Sequence, residues 1–374
     1  MKKQLLYICA DYCVENRFRH QHAVGIQKKI DMQRRCFEKA GYVVRYGILH
    51  LLPQNIYPGL TDINLFANSM DWNKIDISKP VDVVYIRFCA MESGLLVFLH
   101  KVKRKNKNVK ILFEFPTFPV SRDFSYRDKD FTYYKFQLFT KLLKIYVDRV
   151  VLCSPDYKKV YGIKVLHMPN GVEYRNTAII PQNYTENEIH LIMVSSMTHV
   201  HGIDRIIKGM GTYYMQRRER KVVLHLVGAG IYEDEYRNLV KEYRVADYVR
   251  FEGYCVGNRL NDLYLLADIG IYAFGIHRNS KDLVSSGLKL KEAASYGLPI
   301  IGSGRTDMDH DACMEYMLKF PENETDIDVN KIISFYDKVY NQDKTVIRNT
   351  IKEVFRPYYD VQETLKKVLD YLEV

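Results

Sequence analysis

The chain has 374 residues, 47% apolar and 27% charged, which fits two globular domains and excludes a disordered, collagen-like or disulfide-scaffold protein. Its 55 lysines and arginines outnumber its 45 aspartates and glutamates, but only in one half: residues 1–172 hold 29 basic and 15 acidic side chains, and residues 173–374 hold 26 and 30. A basic first half followed by a mildly acidic second half points to an anionic partner for the first half alone.

Residues 5–9 read as a buried strand. The spacing of Ile26, Ile30, Cys36, Phe37 and Ala40 predicts a helix over 25–40, closed by Gly41. Strands follow at 42–47 and 81–88, a helix at 94–105, a strand at 109–115, a helix near 133–147 and a strand at 149–153. Pro169, Asn170 and Gly171 are turn residues and mark a boundary. The alternation then restarts, with strands at 189–195, 221–227, 248–252, 269–274 and 299–302. Helices are expected between them at 202–218, 232–243, 258–267 and 288–296. Three more helices are expected at 329–340, 344–355 and 361–372. Such alternation predicts parallel sheets and two Rossmann-like domains, 1–172 and 173–357, with a last helix, about 358–374, packing back on the first.

The cysteines are scattered, odd in number and without a C-x-x-C pair, so neither a disulfide framework nor a zinc site is expected, and a reducing, cytoplasmic location is. No run of 18 apolar residues exists, so at a membrane the chain would lie on the surface. Two stretches of the first half suit an anionic membrane. One is the basic run Lys101, Lys103, Arg104, Lys105, Lys107 and Lys110. The other is the aromatic and aliphatic segment carrying Lys135, Lys141 and Lys144, whose alternative reading is ordinary core packing. No nucleic-acid recognition motif accompanies them, and no nucleic-acid partner is expected.

The chemistry concentrates at residues 285–301, SSGLKLKEAASYGLPII. Ser285, Ser286 and Gly287 precede a helix that places Lys289 and Glu292 on one face near its N-terminus. Free backbone N–H groups and the helix dipole make that end an anion site, and small residues let a diphosphate approach. Leu288 opens the helix, and Glu292 suits two adjacent sugar hydroxyls. The alternative is an amphipathic helix with a solvated lysine and glutamate.

Other candidates lie at strand ends. His277 and Arg278 follow one strand, either meeting a diphosphate or a sugar hydroxyl or lying in a polar surface loop; Ser196 and His201 follow another, the histidine either touching phosphate or decorating a helix start; Gly228 and Gly230 follow a third, either facing a nucleobase or forming a tight turn. In the first half, a long polar loop over 15–22 leads to Gly25, and Glu114 ends a strand where a carboxylate could serve as acid or base or equally sit in a structural hydrogen bond. Asp307, Asp309, His310 and Asp311 lack the full spacing of a calcium loop and are expected to form a solvated acidic loop.

The run SGLKLKEAASYGLPII resembles the donor-site helix of GT-B glycosyltransferases, in particular retaining family four. Asn170-Gly171-Val172 resembles the family's NGV segment, and His201-Gly202-Ile203-Asp204-Arg205 its K-G-x-D/E-x-L element. His225 to Gly230, Phe251-Glu252-Gly253 and Leu266-Ala267-Asp268-Ile269 resemble its glycine loop, F-x-G strand and A-D entry. Gly275-Ile276-His277-Arg278 is similar to bacterial capsule and exopolysaccharide transferases. The resemblance implies an α/β GT-B fold, two Rossmann-like domains facing each other across a cleft. It implies a hexosyltransferase-type enzyme with a nucleotide-sugar donor in the second domain, a saccharide or lipid-linked acceptor in the first, retaining stereochemistry, no cofactor and no metal. Gly25 resembles the glycine loop facing the donor phosphates.

There are departures. The first acid of the family's E-x7-E motif falls on Val284, and its phosphate-gripping Arg and Lys fall on Ser196 and His201. Lys289, Arg278 and the helix N-terminus are therefore the expected phosphate ligands, with Glu114 or a residue of the 15–22 loop as base if the route is inverting. Rival readings are a non-hydrolysing sugar-nucleotide epimerase and a non-catalytic nucleotide or nucleic-acid binding protein.

Overall fold

The computed structural model describes residues 2–10, 23–52, 65–116, 118–120, 131–174, 188–216, 220–278, 284 and 286–373. The loop over 15–22 and Ser285 lie outside the described residues.

The chain divides into two compact units, Met1–Pro169 with Thr364–Val374, and Asn170–Glu363. The first unit runs β1 (Gln4–Ala10), α1 (Ala23–Lys39), β2 (Val43–Leu49), β3 (Val83–Arg87), α2 (Ser93–Lys105), β4 (Lys110–Phe115), α3 (Phe131–Leu142), β5 (Arg149–Leu152), β6 (Lys159–Val160) and β7 (Ile163–His167). Its sheet has the order β2-β1-β3-β4-β5-β7-β6, parallel except for β6 on β7. The strands β1, β3 and β4 are buried almost throughout, as apolar runs in a sheet covered on both faces must be. Helix α1 ends where Gly41 takes a left-handed φ of 92°, and the Tyr42 N–H then reaches back to the Phe37 carbonyl at 3.1 Å.

The second unit runs β8 (Glu188–Val194), α4 (Ile203–Met215), β9 (Lys221–Val227), α5 (Glu233–Glu242), β10 (Val249–Gly253), α6 (Gly257–Leu266), β11 (Ile269–Ile271), α7 (Leu288–Ser295), β12 (Ile300–Ser303), α8 (Asp311–Met314), β13 (Met317–Phe320), α9 (Val329–Val339) and α10 (Lys344–Tyr359). Its all-parallel sheet has the order β10-β9-β8-β11-β12-β13. Met193, Ile206, Leu224, Ile269, Ala294 and Ile351 belong to its buried core. The last helix, α11 (Val361–Glu373), starts in this unit and continues into the first, where the Lys3 ammonium donates to the Leu372 carbonyl at 3.0 Å.

Strands β6, β7 and β13 and helix α8 were not expected from the sequence. β7 and β13 sit toward the edges of their sheets, and β7 is mostly half-buried or exposed, so neither carries a long apolar run. Both sheets are Rossmann-like, and among their parallel strands the order reverses at β1/β3 in the first and at β8/β11 in the second. Ligands of open α/β sheets bind outside the carboxyl ends of strands at such places.

Candidate functional site

The expected residues of the second unit gather at the carboxyl edge of its sheet. After β8, Ser195 stays buried and its hydroxyl accepts from the Met197 N–H at 3.2 Å. The chain then makes a short 3-10 turn, His199–His201, before Gly202 and α4. The Thr198 N–H donates to His201 Nδ1 at 3.1 Å. A backbone N–H can only donate, so Nδ1 is the acceptor, and the uncharged ring carries its proton on Nε2. That nitrogen lies 3.4 Å from the Lys289 ammonium. Burial lowers the Lys289 pKa to about 8, with the nearby Glu292 carboxylate pulling the other way. With the lysine charged, two donors stand side by side, an arrangement that an anion relieves.

Lys289 lies in the first turn of α7, whose N-cap residue, Gly287, makes no side-chain capping bond. The N–H groups of that turn therefore lack the usual side-chain acceptor. Glu292, one turn on, neighbours Tyr264, whose hydroxyl is pushed far up by burial and by that carboxylate. The Tyr264 ring stacks on Tyr296 at 4.6 Å.

The glycine loop after β9 is shaped by close packing. A Cβ on Gly228 would lie 2.0 Å from the Ser195 carbonyl oxygen, and one on Gly230 would lie 1.8 Å from that of Ser196. Gly228 also needs its φ of 117°. These glycines let the β9 loop lie directly on the end of β8, and Ser196 contributes its backbone to that contact. The next residues bring Tyr232 onto His199, ring centroids 5.7 Å apart.

Arg278 differs from expectation. Its guanidinium forks onto both oxygens of Asp204 at 2.8 Å, donates to the His199 carbonyl at 2.9 Å, and pairs with Glu324. The carboxylates drive its pKa further up; burial works against ionisation of Asp204, but Arg278 outweighs it. A cation already shared by two carboxylates is not offered to a diphosphate. His277 joins the same clip through Nε2 to Glu324 at 2.7 Å. The HGIDR and GIHR pieces are thus two halves of one brace, which holds the turn carrying His201. Arg205 completes it by donating to the Phe274, Pro321 and Thr325 carbonyls.

Two further expectations are corrected. Ser286 is committed to internal bonds, to Asp307 at 2.6 Å and from Lys291 at 2.8 Å, so its hydroxyl is not presented to a ligand. The 307–311 segment is not simply solvated: the Asp307 carboxylate is buried against Lys291, and Asp309 accepts from Thr306 and pairs with Lys319 at 2.7 Å.

In the first unit, Gly25 is exposed on α1 with open space around it. Glu114 is fully buried and accepts from Lys29 at 2.6 Å, Arg87 at 2.9 Å, Tyr85 at 2.8 Å and Gln33 at 3.4 Å. Burial opposes its ionisation, yet Lys29 and Arg87 win and hold its pKa to about 2. Such a group neither gives nor takes a proton near neutrality, so Glu114 braces the strand ends instead. The sequence reading did not single out Glu324 or Lys291, and it gave Asp204 no role with Arg278. The only signal for Lys291 was its place between Leu290 and Ala294 on the apolar side of α7.

Residues 176–316 match the family described as glycosyl transferases group 1. No curated protein sequence matches the chain. Its fold is similar to that of the sucrose-phosphate synthase of Thermosynechococcus elongatus, at 15% identity and a TM-score of 0.65 over 100% of this chain and 99% of that one. It is also similar to Anabaena Alr3699/HepE solved with UDP and glucose, at 12% identity and a TM-score of 0.62 over 100% of both chains. A glycosyltransferase from Rickettsia africae ESF-5 is similar at 14% identity and a TM-score of 0.60, over 100% of this chain and 98% of that one. At these identities the likeness is one of fold.

Proposed function

We propose that this chain, a glycosyltransferase of GT-B fold with its group 1 match at residues 176–316, moves a hexose from a nucleotide-sugar donor bound by the second unit to a saccharide acceptor bound by the first. The observation that carries the donor half is the meeting of His201 Nε2 and Lys289 Nζ at the N-terminus of α7, beside the β8/β11 reversal. As the glycosidic C–O bond breaks, negative charge grows on the departing diphosphate. Lys289, the His201 Nε2–H and the first N–H groups of α7 stabilise that charge. Glu292 accepts from the ribose hydroxyls, and Arg278 acts one step back by holding the His201 turn. UDP in the Anabaena structure supports a nucleoside diphosphate as the recognised group.

A retaining route is proposed, with the leaving phosphate taking the proton of the acceptor hydroxyl. The commitment of Glu114 to Lys29 and Arg87 supports it by removing one of the two bases expected for an inverting route, the other being a residue of the 15–22 loop. No metal is assigned a part. Incubated with UDP-, GDP- and ADP-sugars and a bacterial lipid extract as acceptor source, the protein is expected to release free nucleoside diphosphate and label a saccharide. An epimerised sugar nucleotide instead would mark an epimerase, and neither product a binding protein.

The acceptor is proposed to be lipid-linked, in surface-polysaccharide assembly at the inner face of the plasma membrane. Among the described residues no helix is long and apolar enough to cross a membrane. On α3 and the turn after it, Tyr134, Leu138, Lys141 and Ile145 are exposed at helical spacing, and α2 exposes Val97, Lys101, Arg104 and Lys105. Exposed apolar and basic side chains on the same helices suit an anionic lipid surface, although Lys135, expected among them, is buried. The protein should sediment with phosphatidylglycerol vesicles in low salt and be released by high salt. Leu138→Asp/Ile145→Asp should abolish that binding, and retention by phosphatidylcholine alone would contradict it.

A further inference from the structure

Lys289 and Lys291 look alike in the sequence, yet two residues along a helix turn them to opposite sides. Lys289 faces the proposed donor site. Lys291 points inward and is fully buried. Its ammonium donates to Asp307 Oδ2 at 2.6 Å and to Ser286 Oγ at 2.8 Å, and lies 5.0 Å from the centre of the Tyr359 ring. Ser286 Oγ in turn donates to Asp307 Oδ2 at 2.6 Å and accepts from the Asn170 N–H at 3.3 Å. The Asn170 side-chain amide donates to the Ser286 carbonyl at 2.6 Å, and the Tyr359 hydroxyl donates to the Asp307 carbonyl. Val172 pairs with this last segment, donating to the Tyr359 carbonyl and accepting from the Val361 N–H, both at 2.9 Å.

One buried cation thus joins four separated stretches of the second unit: residues 170–172, the residue before the α7 N-cap, the loop after β12, and residues 359–361. Replacing a buried ion pair with apolar side chains often leaves stability unchanged or improves it, so such a pair is weak evidence for a stabilising role. Here Asp307 Oδ1 is also buried with no hydrogen-bond partner among the described residues, which adds a desolvation penalty. What the network holds in place is Ser286, clamped through both its hydroxyl and its carbonyl next to the anion-receiving end of α7.

We propose that Lys291 and Asp307 are positioning residues that set the Ser286–Gly287 loop so that the first turn of α7 can receive the donor diphosphate. The inference rests on the donor-site reading above and extends it to residues that touch no ligand. Lys291→Met alone leaves the Asp307 carboxylate buried and unpaired and should lower the melting temperature. Lys291→Met/Asp307→Leu removes both charges and should recover it. If the pair positions the loop, the double variant still binds the nucleoside diphosphate preferred by the wild type at least about tenfold more weakly. Amide exchange at residues 286–289 should quicken, while β8 and β9 keep their protection. Ser286→Ala should weaken binding similarly, and Ser286→Thr, which keeps the hydroxyl, should restore it.

Wild-type affinity and unaltered exchange in the double variant would overturn the proposal. If the wild type binds none of UDP, GDP and ADP, the donor-site reading fails instead. The exchange measurement then still decides whether Lys291 and Asp307 hold the loop.

Discussion

Lys289→Met is expected to lower kcat/KM for the donor by about 10²–10³-fold, the usual effect of removing one preorganised donor from a developing negative charge. The side chain is half-buried in the first turn of α7, whose N-cap Gly287 makes no side-chain capping bond, and its ammonium lies 3.4 Å from His201 Nε2. The fold should not suffer. Burial holds the lysine pKa near 8, below its ordinary 10.5, so the folded state binds fewer protons than the unfolded state between those values. The charged form therefore costs stability below about pH 8, and methionine should leave the melting temperature unchanged or higher. Donor affinity should also fall as pH rises through about 8 in the wild type and lose that step in Lys289→Met. A variant that keeps full kcat/KM would remove Lys289 from the machinery.

Glu114→Leu is expected to destabilise the first unit by about 3–5 kcal/mol, because it leaves Lys29 and Arg87 buried without the carboxylate both contact. For a domain of this size that is a fall of about 10 °C in melting temperature. Turnover measured well below the transition should persist. With a folded-state pKa of about 2 against an ordinary 4.5, this group's stabilisation is complete above the higher value and is lost as pH falls through the lower one. Loss of turnover at an unchanged melting temperature would return Glu114 to a catalytic role.

Both the helix–strand alternation and the start of α7 at Leu288 could be read from the sequence, because each is written in neighbouring residues. The spacing of Ile26, Ile30, Phe37 and Ala40, and the small residues before Leu288, carry their meaning within one or two turns. The brace around Arg278 could not be read so. Asp204 and Glu324 lie 74 and 46 positions away, and nothing local distinguishes an arginine awaiting phosphate from one already paired. The same holds for Glu114, whose partners Lys29 and Arg87 lie 85 and 27 positions away, and for Asp307, paired with a lysine 16 positions earlier. Gly228 and Gly230 left a tight turn and a ligand loop equally open until the Ser195 and Ser196 carbonyls appeared beneath them. Long-range electrostatics and close backbone approach, rather than propensity, separated the site from its scaffold.

In the proposed function, the α7 end of the second unit holds the diphosphate and ribose of a nucleotide-sugar. Calorimetric titration of the whole protein with UDP, GDP and ADP, with Glu292→Ala alongside, tests it most directly. One of the three should bind the wild type and raise its melting temperature, and Glu292→Ala should abolish both effects. Binding of none of them, or binding that survives unchanged in Glu292→Ala, would contradict it.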